Sequence, residues 1–92
     1  MSNRILTLHP QGKQGVNIEK SKYDQMRHKI LQIVQSRGQV SFKELTHLTK
    51  KQLNGQFNGS IGWYMTTVKL DLEARGEIKR IPGHSPQMIC LG

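Results

Sequence analysis

The residues that carry chemistry in this chain are scattered rather than convergent. His9, His28, His47 and His84 stand far apart, and none has a second ligand at the spacing a tetrahedral zinc site requires. Asp24 and His28 are one helical turn apart, which suits a surface pair on a helix better than an acid–base dyad. Gly12-Lys13-Gln14-Gly15 has the composition of a phosphate cradle, but it lacks the full spacing and the Ser or Thr that follows the lysine of a nucleotide-binding loop. Cys90 is the single cysteine and has no histidine beside it in sequence, so it reads as a strand residue rather than a nucleophile. No nucleophile–base–oxyanion set can be assembled from these positions. The sequence therefore predicts a binding protein without metal or cofactor, and not an enzyme.

What the chain has in surplus is cations. Lys and Arg number 14 against 6 Asp and Glu, a formal net charge of +8. Excess positive charge attracts polyanions, chiefly nucleic acid or an anionic membrane surface. No run approaches the ~20 apolar residues that span a bilayer, so a membrane is not expected as a partner. The apolar stretch in the first nine residues is too short for a signal peptide, and one cysteine forms no intrachain disulfide. Both features suit the cytoplasm.

The elements that must position these cations follow from periodicity and capping. At 92 residues the chain suits one domain. Residues 1–20 read as an arm: Ile5-Leu6-Thr7-Leu8 suits a short strand, and Pro10, Gly12 and Gly15 then interrupt any regular element. Residues 21–92 read as the folded domain. A first helix is predicted over 22–37. Ser21 to Asp24 resembles a capping box, Tyr23, Met26, Ile30, Ile33 and Val34 form its apolar face, and Gly38 ends it. A second is predicted over 42–53. Ser41-Phe42-Lys43-Glu44 is a full capping box, Val40 is placed for a hydrophobic staple, and Leu45, Leu48 and Leu53 face inward with Phe42. A third is predicted over 61–75, capped by Ser60 and stopped by Gly76, with Asp71 and Arg75 as an i, i+4 pair. A hairpin near 77–91 closes the chain around Pro82-Gly83-His84-Ser85-Pro86.

Three helices followed by a hairpin is the order of a winged helix-turn-helix, an α+β fold. The segment Thr67–Arg80 also resembles the recognition-helix-to-wing segment of MarR-like winged-helix regulators, in which a Leu-Glu-x-Arg-Gly-x-Ile-x-Arg string joins the third helix to the wing. Leu72, Glu73, Arg75, Gly76, Ile78 and Arg80 match that string. Gly59–Tyr64 is similar to a segment of small bacterial proteins with no assigned activity. The resemblance, covering about residues 21–91, implies a winged-helix fold with duplex DNA as the expected partner.

On that frame the candidate nucleic-acid contacts are Lys43, Lys50 and Lys51 on the second helix, Trp63, Thr66, Thr67 and Lys69 on the third, and Lys79, Arg80 and His84 on the wing. Arg4 and Lys13 lie in the arm. Each cation taken singly is an ordinary surface charge; the grouping points to phosphate. Two features depart from the pattern. Asn54–Gly59 is longer than the turn of a compact helix-turn-helix, and Phe57 is expected to hold it to the core. The third helix is electrically neutral, since Lys69 and Arg75 are offset by Asp71 and Glu73.

At about 100° per residue, Ile61, Met65, Val68 and Leu72 share one stripe, while Trp63, Thr67, Leu70 and Ala74 fall on nearly the opposite side. Three coverings of Trp63 are open: the long loop, the N-terminal arm, or an intermolecular interface. The leading expectation is a transcriptional or nucleoid-associated factor that grips DNA mainly by its phosphates. The alternative is a protein-interaction module, or a homodimer, using the Trp63–Leu70 face. RNA binding is a third option.

Overall fold

The computed structural model describes residues 3–83 and 87–92. The elements, in order, are β1 (Arg4–Leu6), β2 (Asn17–Glu19), α1 (Lys20–Arg37), β3 (Gln39–Ser41), α2 (Phe42–Leu53), α3 (Ile61–Ala74), β4 (Ile78–Ile81) and β5 (Met88–Leu91). The fold is α+β, with three helices and two small antiparallel sheets.

α1 buries the five residues its periodicity picked out, Tyr23, Met26, Ile30, Ile33 and Val34. Its start differs from the expectation. The N-cap is Glu19, with no side-chain bond to the helix, and Ser21 lies inside the first turn. The reason is β2, which runs straight into the helix: the N–H of Lys20 donates to the carbonyl of Asn3 at 2.9 Å. Strand pairing thus satisfies one of the first-turn donors that the helix itself leaves without a partner. At the other end Gly38 takes a φ of 77° and donates back to the Val34 carbonyl at 2.9 Å.

α2 begins where its cap predicts, with Ser41 Oγ accepting from the Glu44 N–H at 3.0 Å. The Glu44 carboxylate does not complete the box; it pairs with Arg37 Nη1 at 2.9 Å, joining α2 to the end of α1. Gln39–Ser41, passed over in the sequence, is a strand. Val40 is buried opposite Ile89, so its role is sheet pairing rather than a staple.

α3 is capped by Ser60 Oγ, which accepts from the Trp63 N–H at 3.3 Å. It ends in a double bond pattern around Gly76: Gly76 N–H to the Glu73 carbonyl at 3.1 Å, and Glu77 N–H to the Leu72 carbonyl at 2.9 Å. That is a Schellman motif, and the φ of 78° at Gly76 is the left-handed position it needs. The chain then enters the second sheet, ordered β3-β5-β4 with both pairings antiparallel. Ile78 and Ile89 turn from this sheet into the core, where they meet Met26, Ile30, Leu45, Met65, Val68 and Leu72.

The arm is a hairpin over residues 4–19, with β1 paired against β2. Ile18 is buried and Ile5 packs on the same core. Thr7 and Val16 tie the hairpin's inner end through Thr7 N–H to Val16 O and Val16 N–H to Thr7 Oγ1, each 2.8 Å.

Candidate nucleic-acid interface

Charge pairing decides which cations are available. Of the six acidic side chains, Asp24, Glu44, Asp71, Glu73 and Glu77 are held in ion pairs, with Lys20, Arg37, Arg75, Lys69 and Arg27 respectively. The net positive charge is therefore carried by side chains with no carboxylate partner among the described residues. Lys43, Lys50 and Lys51 on α2 and Lys79 and Arg80 on β4 are all in this group, and all are exposed.

Two of these cations bracket α3. Lys50 crosses its first turn: a Cβ at Gly62 would lie 3.4 Å from Lys50 Cε and 3.6 Å from Nζ. Lys50 thus places an ammonium beside that end of α3, where the helix dipole is also positive. Toward the other end stands Arg80 on β4, whose charge adds a little to the burial that lowers the Lys69 pKa. Arg80 and Lys79 also line, with Glu73, Ile78, Pro10 and Gln11, a shallow hollow of about 250 Å³.

Between these cations the outer face of α3 is uncharged. Trp63 is 47% exposed, Thr66 is exposed, and Thr67 and Leu70 are half-buried. The expectation for Lys69 is corrected. It is only 2% exposed, its Nζ lies 3.1 Å from Glu73 Oε1 and 4.7 Å from the centre of the Phe42 ring, and it cannot touch a ligand on the outer face. Burial pushes the Lys69 ammonium below its ordinary range, and Glu73 opposes that shift. The spacing contains this signal: Lys69 follows Met65 by four and precedes Leu72 by three, both core positions, and Glu73 stands four residues on. His84 lies outside the described residues.

Trp63 stands at the edge of an aromatic group. Its ring packs edge-on to Tyr64 at 4.9 Å, and Tyr64 packs edge-on to Phe57 at 5.2 Å. Phe57 does fasten the long α2–α3 connection to the core, aided by Gln25 Nε2 donating to the Gln56 carbonyl at 3.0 Å. Lys22 Nζ sits 5.3 Å from the centre of the Tyr64 ring. Sequence reasoning missed Lys22, because no local pattern brings the start of α1 to the start of α3. The N-terminal hairpin meets α3 at Asp71 instead and leaves Trp63 half uncovered.

A buried polar network holds the C-terminal half of α3. Asp71, fully buried, accepts from the Leu8 N–H at 2.8 Å, from Arg75 Nε at 2.9 Å and from the Tyr23 hydroxyl. Burial and the Asp71 bond raise the Tyr23 phenol well above its ordinary value, and the same carboxylate raises Arg75. Among the described residues no group of three His, Cys, Asp or Glu side chains converges on a metal position, and no helix is long and apolar enough to cross a membrane.

A protein-family model matches residues 4–89, a span that opens with the N-terminal hairpin and runs into the last strand. The chain belongs to DUF6958, a family of unknown function. The hairpin of residues 4–19 thus falls within the DUF6958 match together with the helices and the second sheet. Comparison with curated proteins and with solved structures gives no match.

Proposed function

We propose that this DUF6958 chain is a winged-helix DNA-binding module, a cytoplasmic transcriptional or nucleoid-associated factor that holds duplex DNA mainly through its phosphates. The winged-helix reading is supported by the element order from α1 to β5 and by a sheet in which β3 and β4 flank β5. The observation that carries the DNA reading is the charge arrangement: α2 and β4 present unpaired cations on either side of α3, while five of the six acids are held in ion pairs. In that geometry α3 enters the major groove, Lys43, Lys50 and Lys51 lie against one phosphate strand, and Lys79 and Arg80 on the wing meet the backbone further along. Phosphate contacts of this kind fix position without reading sequence.

The test is titration of a fluorescent 20-base-pair duplex with the full chain at low and at physiological salt. Saturable binding that weakens steeply with salt supports the reading; no binding at low salt refutes it.

The half-exposed Trp63 favours a second reading, in which the same face docks a protein or a second copy of this chain. Sedimentation separates the two: a monomer that binds duplex supports DNA, and a Trp63-dependent dimer without duplex affinity supports the alternative.

A further inference from the structure

We infer that α3 reads thymine methyl groups, so that the protein selects A·T-rich duplex through apolar contacts rather than base-edge hydrogen bonds. This rests on the DNA reading above and adds a specificity to it.

The argument is one of elimination on the outer face of α3. Bidentate recognition of guanine uses Arg or Lys, and of adenine uses Asn or Gln. Between Ile61 and Ala74 the only cation is Lys69, which is buried against Glu73 and Phe42, and the helix contains no Asn or Gln at all. Asp71 is fully buried; the Ser60 oxygen accepts from the Trp63 N–H, and the single hydroxyls of Ser60, Thr66 and Thr67 can bond either kind of base pair and so discriminate little. What the face offers outward is the Trp63 ring, the methyl-bearing side chains of Thr66 and Thr67, and the edge of Leu70. In the major groove the complementary feature is the C5-methyl of thymine, the one apolar group a base pair displays there.

Charge complementarity supplies the docking. Lys50 at the first turn of α3, with Lys79 and Arg80 beyond its other end, brackets this apolar strip with cations suited to the phosphates on either side of a groove. Trp63 and Leu70 are seven residues apart, about 10 Å along the axis at about 1.5 Å per residue. That length spans about three base-pair steps at about 3.4 Å each. The reading window is therefore short, and any A·T-rich duplex contains it.

The experiment changes the methyl group and leaves the protein untouched. The full chain is titrated against an A·T-rich 20-mer, the same duplex with every thymine replaced by uracil, a G·C duplex, and that G·C duplex with 5-methylcytosine. Uracil keeps the charge and the hydrogen-bonding edges and removes only the C5-methyl. The expected result is about tenfold weaker binding to the uracil duplex, the value of roughly two buried methyl groups. Tighter binding of the 5-methylcytosine duplex than of unmodified G·C is expected with it. Trp63→Ala and Leu70→Ala should erase the thymine–uracil difference while leaving the salt dependence intact. Equal affinity for thymine and uracil duplexes, with salt-dependent binding retained, overturns the methyl reading and leaves the DNA reading standing. No binding to any of the four duplexes overturns both.

Discussion

The backbone N–H of Leu8 donates to Asp71 Oδ1 at 2.8 Å, and this bond fastens the N-terminal hairpin to α3 about two turns beyond Trp63. The same carboxylate accepts from the Tyr23 hydroxyl on α1 and from Arg75, the C-cap of α3. Three segments distant in sequence thus share one fully buried anion. Asp71→Ala removes the acceptor from all three donors at once. The expected cost is about 3–5 kcal/mol, the range for breaking a buried charged network by deleting one partner. Urea denaturation measures it; a loss under about 1 kcal/mol would show that the network is incidental to stability.

Tyr23 gives the network a pH signature. Its folded-state pKa is raised above the ordinary value of about 10, so the folded protein retains a proton that the unfolded chain releases. Stability from this group is full below about pH 10 and falls above it, by up to about 1.4 kcal/mol per pH unit. Lys69, whose pKa is lowered, acts in the opposite sense in the alkaline range: there the unfolded chain holds the extra proton, and stability rises with pH. Comparing wild type with Tyr23→Phe isolates the tyrosine contribution. The variant should lose stability less steeply between pH 10 and about 11, and parallel curves would contradict the assignment.

Lys69 and Glu73 form a second buried pair, and both Glu73 oxygens lack a well-aligned hydrogen bond. Such pairs are costly to break and cheap to replace. Lys69→Met alone is expected to destabilise by about 3 kcal/mol, because it strands a buried carboxylate. The double variant Lys69→Met/Glu73→Met is expected to recover most of that loss, and its affinity for duplex DNA should match wild type at every salt concentration. Weaker DNA binding by a folded double variant would return Lys69 to the interface.

Close packing in the hairpin makes Gly15 irreplaceable. A Cβ there would fall 1.6 Å from the Thr7 carbonyl oxygen, a backbone atom that cannot move without breaking the Thr7–Val16 bonds. Gly15→Ala should cost about 2 kcal/mol or more, in the range of core overpacking, with limited proteolysis within residues 8–16 as the local readout. Gly12→Ala is the useful contrast. It meets no neighbouring atom, and its cost is confined to the positive φ of 73°.

Much of this architecture was legible in the sequence, and the exceptions have physical causes. The apolar face of α1 is a single uninterrupted 3.6-residue pattern, and the Ser41 and Ser60 caps sit where helices α2 and α3 begin. β3 was hidden because three residues are too few to show alternation, and because Ser41 also serves as a cap. The hairpin of residues 4–19 was hidden because Ile5 and Ile18 pair across a segment containing Pro10, Gly12 and Gly15, whose local preferences indicate only interruption. At the site, the outward position of Trp63 followed from helical angle alone. The burial of Lys69 was signalled only by its spacing from Met65, Leu72 and Glu73, a weak cue because a charged residue at the border of a core stripe ordinarily lies in solvent.

Trp63 separates the candidate partners. At 47% exposure, with an edge-on contact to Tyr64 as its aromatic support, Trp63→Ala should cost the fold about 1 kcal/mol. A core tryptophan would cost about 3–5 kcal/mol. Denaturation and sedimentation of wild type and variant, run side by side, provide the check. Large destabilisation with unchanged association would mean that the ring is structural and would remove it from any interface.

The most direct test of DNA binding is the salt dependence of duplex affinity in wild type and in Lys50→Ala/Lys51→Ala/Lys79→Ala/Arg80→Ala, followed by fluorescence anisotropy. Four to six phosphate contacts predict a slope of log K against log salt of roughly −4 to −5 for wild type. In the folded quadruple variant binding should weaken to every duplex, and the slope should flatten to about −1. An unchanged slope in that variant, or no duplex binding by wild type at low salt, would contradict the account.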